Sequence, residues 1–222
     1  MQAQLLAAWL LFECLKMNIE PVSDVRWKAE RGFTMLETVV VVGLIGLIAA
    51  IAIPMFGNAI AGFRLSGDAR SVSNAVAVAK MRAASNFSRV RLYVDLDAGE
   101  HHLESLDKTT TPPHWTTEGG STYLSSGVSF GFGVVTTAPP NTQGTIGQAP
   151  QCTADDGTAI GSTACIMFNS RGVPIDSSGA PTGIDAAYLT DGMAVYAVTI
   201  AATGMLRLWR ALPVATPSWA LQ

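Results

Sequence analysis

The segment Arg31-Gly32-Phe33-Thr34-Met35-Leu36-Glu37 passes directly into an apolar run that extends from Thr38 to Phe56. The core of this run, Val39 to Ile53, contains no charged or strongly polar residue. About 18 helical residues, each rising 1.5 Å, are enough to span a hydrocarbon core. Glu37 lies at the edge of the run, where a carboxylate costs free energy and therefore indicates a functional site. The segment predicts a membrane-length helix with a functional acid near its start.

Three kinds of segment could account for this helix. A secretory signal peptide would carry small residues after the apolar run, but Ile53-Pro54-Met55-Phe56 follows it here. An ordinary single-pass anchor would explain the length, but not the Gly32–Phe33 junction or Glu37. A signal that is cleaved before its apolar helix explains all three features.

The residues Gly32-Phe33-Thr34-Met35-Leu36-Glu37, with the apolar run and Pro54, resemble the processing signal of type IV pilins and type II secretion pseudopilins. The resemblance implies that a prepilin peptidase and methyltransferase cuts after Gly32 on the cytoplasmic face and methylates the new terminal amine of Phe33. It also implies that the Glu37 carboxylate pairs with the terminal amine of a neighbouring subunit in a helical filament of pilins or pseudopilins.

Elementary electrostatics supports that role for Glu37. A lone carboxylate in a bilayer costs up to about 3 kcal/mol, and less near the interface. A cationic amine on a neighbouring helix would offset this cost only after assembly, so Glu37 would favour one axial stagger between subunits. The alternative interpretation is an interfacial carboxylate that reaches back to the headgroups.

The residues before Phe33 are interpreted as a leader, 1–32. Its basic residues Arg26, Lys28 and Arg31 suit a cytoplasmic location, although mixed acidic residues make the charge bias weak. Met17 offers a second start that leaves a short polar leader. Residues 1–16 are therefore interpreted as an upstream start without function.

The apolar helix is predicted to span 33–56 and to continue as an amphipathic helix over 57–88. Pro54 is expected to kink the helix or loosen one turn. Apolar residues recur at near-helical spacing after it: Ile60, Phe63, Val72, Val76, Ala79 and Ala83. The sequence therefore predicts a helix with one stripe that packs on a sheet, and so an α+β, pilin-like fold.

Residues 89–212 are predicted to form a β-rich head, because the pattern changes there to alternation and frequent turn residues. Strands are predicted at Val90–Leu96, His101–Leu106, Val128–Val135 and from Cys165 to Phe168. Ala194–Ala202 and Met205–Ala211 are predicted to form a hairpin about Thr203-Gly204. The span from Thr136 to Ala164 is predicted to be a surface loop, and 213–222 a loose tail.

The chain has three cysteines, of which Cys14 precedes the predicted cleavage site. The remaining even pair, Cys152 and Cys165, suggests a disulfide in an oxidising compartment such as the periplasm. In the chain-entropy model a loop of this size would stabilise the fold by roughly 3 kcal/mol. The alternative is a pair of free thiols.

Neither composition nor motifs suggest an enzyme. The sequence has no G-x-S-x-G, P-loop, H-E-x-x-H or paired C-x-x-C motif, so no catalytic residue, cofactor or metal is predicted. His101 and His102 are adjacent, and on a strand they would face opposite sides. Asp155 and Asp156 could bind calcium, but adjacent acids in a turn are usually only solvated.

A second hypothesis is DNA capture by the C-terminal hairpin. DNA-uptake pilins place paired arginines after a glycine in a similar hairpin. Here Gly204 and Arg207 fit, whereas Met205 replaces the first arginine. Arg207 and Arg210 would face opposite sides of a regular strand, although Trp209 could stack beside Arg207. The net charge of −3 does not favour nucleic acid as a partner.

The chain has, in order, a long helix, a strand pair, a variable loop, a turn at Phe168-Asn169-Ser170-Arg171-Gly172-Val173-Pro174 and a closing hairpin with Gly204 and Arg207. This order resembles the GspH/FimT branch of the pseudopilins. This resemblance implies a non-enzymatic minor subunit, anchored in the inner membrane with a periplasmic head, in a secretion pseudopilus or pilus-like filament. A membrane-tethered binding domain unrelated to filaments is the remaining option.

Overall fold

The computed structural model describes residues 34–222, except for the side chains of residues 54–56 and 58. The predicted leader 1–32 lies outside the described residues. So does Phe33, and the cleavage junction Gly32–Phe33 is therefore not described. The chain divides into two compact units, one ending at Ala49 and the other beginning at Ala50.

The first described element is the helix α1, Met35–Ser85. Its segment Met35–Ile53 is long and apolar enough to cross a membrane, and none of that segment is buried within the protein. The helix includes Pro54, so the chain stays helical through this position. Length and composition alone make the segment compatible with a membrane.

The C-terminal half of α1 carries the stripe on which the head folds. Its buried residues alternate in steps of four and three, which keeps them on one helical face: Leu65, Ala69, Val72, Val76, Ala79 and Ala83. Ile60 and Phe63, predicted to belong to this stripe, are 47% and 76% exposed. That part of the prediction is wrong, because the buried stripe begins only at Leu65.

Among residues 34–222, ten strands form two antiparallel sheets of five. The first sheet has the order β3-β2-β1-β5-β6, and its strands are β1 (Val90–Asp95), β2 (Glu100–Asp107), β3 (His114–Tyr123), β5 (Thr163–Phe168) and β6 (Pro174–Ile175). The second has the order β10-β9-β8-β7-β4, and its strands are β4 (Ser129–Phe130), β7 (Ala186–Thr190), β8 (Val195–Ile200), β9 (Leu206–Ala211) and β10 (Ala220–Leu221).

Most of the predicted strands are present, and the hairpin of β8 and β9 turns at Gly204 as expected. The predicted strand Val128–Val135 is reduced to Ser129–Phe130. Its remaining residues leave the sheet, and Phe132 and Val135 join a second apolar cluster. The α+β class, with a long N-terminal helix and antiparallel sheets, is confirmed.

The main core lies between the α1 stripe and the inner faces of both sheets. Alternate residues of the central strands point into it, as strand periodicity requires: Val90, Leu92, Val94, Ile166, Phe168, Ala187, Leu189, Tyr196, Val198 and Ile200. The helix and both sheets therefore share one apolar core.

The outer face of the second sheet is covered by the residues that follow β4 and by the C-terminal tail. Tyr188 and Trp209 pack there against Phe132, Val135 and Trp219. Trp219 Nε1 also donates a hydrogen bond to the Thr137 carbonyl at 3.0 Å, and β10 pairs with β9. The tail 213–222 thus differs from the loose segment expected, since Trp219 is hydrogen-bonded to Thr137 and the backbone of β10 pairs with β9.

Candidate assembly segment and head contacts

Glu37 lies in the first turn of α1, and its side chain is exposed. Thr34 directly precedes the helix and accepts a hydrogen bond on Oγ1 from the Glu37 backbone N–H at 3.2 Å. Thr34 is therefore the N-cap, and Glu37 occupies the third helical position. An acid in the first turn also interacts favourably with the helix dipole. The Thr34-x-x-Glu37 spacing is the capping-box pattern, a signal that sequence analysis missed.

The apolar residues that follow Glu37 are exposed on every side of the helix. Val39, Ile45, Leu47 and Ile53 are all more than half exposed. A helix that is apolar all round requires a lipid or protein environment, because water would meet every one of these side chains. The segment can therefore supply both an anchor and a surface for packing against other helices.

In the head, Cys152 and Cys165 form the predicted disulfide, with Cα atoms 4.9 Å apart. Cys165 lies on β5, and Cys152 belongs to the loop 150–162. Asp155 Oδ1 in this loop accepts a hydrogen bond from the Trp115 backbone N–H at 2.8 Å. The loop is thus tied to strands at both sides of the first sheet and covers the outer face of that sheet.

Arg91 lies beneath this loop and is only 2% exposed. Its Nε donates to Glu104 Oε2 at 2.5 Å, and its Nη1 donates to the Thr153 carbonyl at 2.7 Å. The guanidinium carbon is 3.9 Å from the centroid of the Trp115 ring. Strand alternation alone indicates an exposed arginine here, and the loop is what buries it.

Lys80 of α1 is held by two glycine turns. Its Nζ donates to the Gly204 carbonyl at 2.8 Å in the hairpin turn of β8 and β9. The Lys80 side chain also passes the turn at Gly172, where a Cβ would lie 3.2 Å from Lys80 Cε. Both glycines have positive φ angles, of 72° at Gly172 and 74° at Gly204. The two turns close over one lysine and fix the sheets to α1.

Gly204→Ala is expected to destabilise the head more than Gly192→Ala. Both glycines have positive φ, which costs an alanine about 1 kcal/mol. At Gly192 a Cβ meets nothing within 4 Å, whereas at Gly204 it would lie 2.8 Å from the Gly172 carbonyl oxygen. We expect a loss of about 1 kcal/mol at Gly192 and at least about 2 kcal/mol at Gly204. Urea denaturation of the two variants measures the difference. Equal losses of unfolding free energy would contradict the close packing of the Gly172 and Gly204 turns around Lys80.

The residues of the DNA hypothesis do not form one surface. Trp209 is 8% exposed, and its Nε1 donates to Thr199 Oγ1 at 3.0 Å, so its ring is not available to stack on a base. Arg207 shares the strand face of Trp209, whereas Arg210 lies on the opposite face. The register of β9 agrees with the prediction that the two arginines lie on opposite faces. The burial of Trp209 does not agree with the stacking role considered for it.

The histidines and the acidic pair considered as metal ligands make other contacts in the structure. His101 is 3% exposed, burial lowers its pKa, and its Nδ1 has no hydrogen-bond partner among residues 34–222. The His102 ring stacks on Tyr93 at 4.7 Å. Asp156 Oδ1 accepts bonds from the Thr158 backbone and hydroxyl. Within the described part of the chain, no group of three or more His, Cys, Asp or Glu side chains could hold a metal.

Comparison with known proteins gives matches at two levels. Residues 27–53 match the family model described as the prokaryotic N-terminal methylation motif. Two solved structures of the minor pseudopilin EpsH from the type II secretion system of Vibrio cholerae are similar to the chain at 15% identity and a TM-score of 0.41. They cover 70% and 65% of this chain and 95% and 94% of their own. No curated protein matches the sequence.

The structural likeness is too low to support conclusions about partners, so the assignment depends on the N-terminal match. That match spans the junction at Gly32–Phe33, the N-cap Thr34, Glu37 and the apolar half of α1. The predicted prepilin-type signal is confirmed in that residues 27–53 match the model of the prokaryotic N-terminal methylation motif.

Proposed function

We propose that this protein is a non-enzymatic, minor subunit of a type II secretion pseudopilus or a related type IV pilus-like filament. A prepilin peptidase and methyltransferase would process it at Gly32 and Phe33. The single observation that carries the proposal is the methylation motif running directly into a wholly exposed apolar helix with Glu37 in its first turn. The EpsH likeness is in keeping with the secretion machine but does not choose between the two filaments.

The two halves of α1 have different functions in this proposal. The segment Met35–Ile53 holds the subunit in the inner membrane and later packs in the filament, since its apolar side chains are exposed on all sides. The stripe from Leu65 to Ala83 is already occupied by the head. The periplasmic head is in keeping with the disulfide Cys152–Cys165, because such bonds persist in oxidising compartments.

Glu37 would fix the axial register between neighbouring subunits. Its backbone N–H is bound by Thr34, so this bond does not depend on the carboxylate. The carboxylate can then pair with the terminal amine of a neighbouring Phe33. Two unit charges about 4 Å apart interact by about 4 kcal/mol at an effective dielectric constant near 20. That interaction outweighs the cost of placing one acid near the membrane interface.

Glu37→Gln tests this role with an isosteric change that keeps the N-cap. We expect the variant to be processed and membrane-bound, because neither step needs the charge, but to enter filaments at least about tenfold less than the wild type. Quantitative immunoblots of sheared filaments and membranes measure the ratio, and mass spectrometry of the mature N-terminus checks processing.

Asp97→Asn is the matched control, because Asp97 is an exposed acid in the turn between β1 and β2. It should assemble normally. Equal incorporation of Glu37→Gln and the wild type would contradict the pairing role. A mature protein that keeps residues before Phe33 in peptidase-positive cells would contradict the proposed function as a whole.

A further inference from the structure

An open cleft lies beside the C-terminal end of α1. Its volume is about 390 Å³, which falls within the range of sites for small organic ligands. Three parts of the head line it: the residues that follow α1, the end of β2 with the turn after it, and β3. Most of the lining residues are polar, and four of them carry a hydroxyl group: Ser88, Ser105, Thr109 and Thr116. The cleft therefore offers hydrogen-bonding groups from several segments of the chain.

Phe87 is the unusual member of this lining, because its side chain is 80% exposed. Its φ angle is 50°, in the left-handed region that glycine or asparagine usually occupies after a helix. A bulky side chain in that conformation costs free energy, and an exposed ring recovers little of this cost through burial. Strained residues of this kind concentrate at binding sites. The strain and the exposure of Phe87 together indicate that its ring contacts a ligand.

The polar part of the lining is held in place by hydrogen bonds. Ser88 Oγ donates to the Leu106 carbonyl at 2.6 Å. Asp107 Oδ1 accepts bonds from the Thr109 hydroxyl and backbone N–H, both at 2.7 Å, and these bonds lower the pKa of Asp107. Asp107 is therefore a carboxylate at neutral pH. Among residues 34–222 no hydrogen bond to its Oδ2 is found, so this oxygen can accept one from a ligand.

We propose that this cleft binds a neutral carbohydrate, with one sugar ring stacked on Phe87 and its hydroxyl groups bonded to Asp107 and the neighbouring hydroxyl side chains. A pyranose has a face of C–H groups that packs on an aromatic ring and an edge of hydroxyls that need donors and acceptors. An apolar peptide would leave the polar lining without hydrogen bonds. Asp107 and Lys108 both line the cleft, and their opposite charges favour a neutral sugar over an acidic one. Binding at this site does not depend on processing or on filament assembly.

Sugar binding to the full chain, in a detergent without a sugar headgroup, tests the proposal. Titration calorimetry with cellotetraose and with the tetramer of N-acetylglucosamine should show one site per chain for at least one of them at millimolar concentrations. Tighter binding of the second would assign the site to a glycan of N-acetylated sugars, and tighter binding of the first to a plain glucan. Phe87→Ala and Asp107→Asn should each weaken binding by at least about fivefold, because they remove the stacking ring and a charged acceptor.

Matched residues elsewhere in the head provide the controls. Tyr123 is also an exposed aromatic residue, at 67%. Asp156 Oδ1 accepts bonds from the Thr158 hydroxyl and backbone N–H, the same arrangement that holds Asp107. Tyr123→Ala and Asp156→Asn should therefore bind both sugars as the wild type does.

Phe87→Gly separates binding from folding. Glycine adopts the left-handed conformation readily, so without sugar this variant should unfold at the temperature of the wild type or above it. Its sugar binding should still be at least about fivefold weaker. Unchanged affinity of this variant overturns the proposal, as does the absence of binding of either tetramer to the wild type at millimolar concentrations. Poorer entry of Phe87→Gly into filaments, without sugar binding by the wild type, would instead assign the ring to contacts between subunits.

Discussion

Val76→Asp is expected to unfold the head, while Phe63→Asp in the same helix leaves it folded. Val76 is fully buried in the core shared by α1 and both sheets. A carboxylate there would have no partner, and we expect a loss of more than about 4 kcal/mol. Phe63 is 76% exposed, so its replacement should change the free energy of unfolding by about 0.5 kcal/mol or less.

Near-ultraviolet circular dichroism and urea denaturation of the full chain in detergent distinguish the two variants. Val76→Asp should lose the fixed aromatic signal of the head, while Phe63→Asp should keep it. The pair also tests where the head begins on α1, because helical spacing alone assigns both residues to one stripe. Equal destabilisation by the two substitutions would mean that the packed stripe extends N-terminal to Leu65.

The elements that the sequence predicted well have local causes. The apolar segment, the alternating strands β1, β8 and β9, and the turn at Gly204 are each specified by neighbouring residues. The disulfide followed from counting the cysteines that remain after cleavage. In each case the signal lies within the element or its immediate flanks, where periodicity and turn chemistry act directly.

The elements that were not predicted depend on distant partners. The strand β3, His114–Tyr123, is rich in threonine and glycine and is defined by its pairing with β2. The strand β7, Ala186–Thr190, is short and lies between β8 and β4. Its inner residues pack because α1 and both sheets converge there. Neither strand shows a periodic pattern long enough to stand out from its loops.

The site residues divide in the same way. Glu37 could be identified from its position at the edge of the apolar run, because the cost of a charge in lipid is a local argument. The buried state of Arg91 could not be identified in this way, since a separate loop covers it. Trp209 shows the reverse error: an aromatic residue beside arginines suggested stacking, but the opposing segments enclose its ring.

Arg91→Ala is expected to lower the free energy of unfolding of the head by about 3–5 kcal/mol, because it leaves the Glu104 carboxylate without its counter-charge. It also removes the hydrogen bond to the Thr153 carbonyl and the guanidinium that lies over the Trp115 ring. The loop 150–162 should then be held mainly by its disulfide and become more sensitive to proteases.

Arg82→Ala is the matched control for Arg91→Ala. Arg82 also pairs with a glutamate, Glu118, but its side chain is 46% exposed. An ion pair at the surface contributes little, so we expect a loss below about 1 kcal/mol in urea denaturation. The double variant Arg91→Met with Glu104→Gln removes both charges of the pair and should regain most of the stability lost in Arg91→Ala. If the double variant is as unstable as Arg91→Ala, the loss comes from packing beneath the loop and not from the stranded charge.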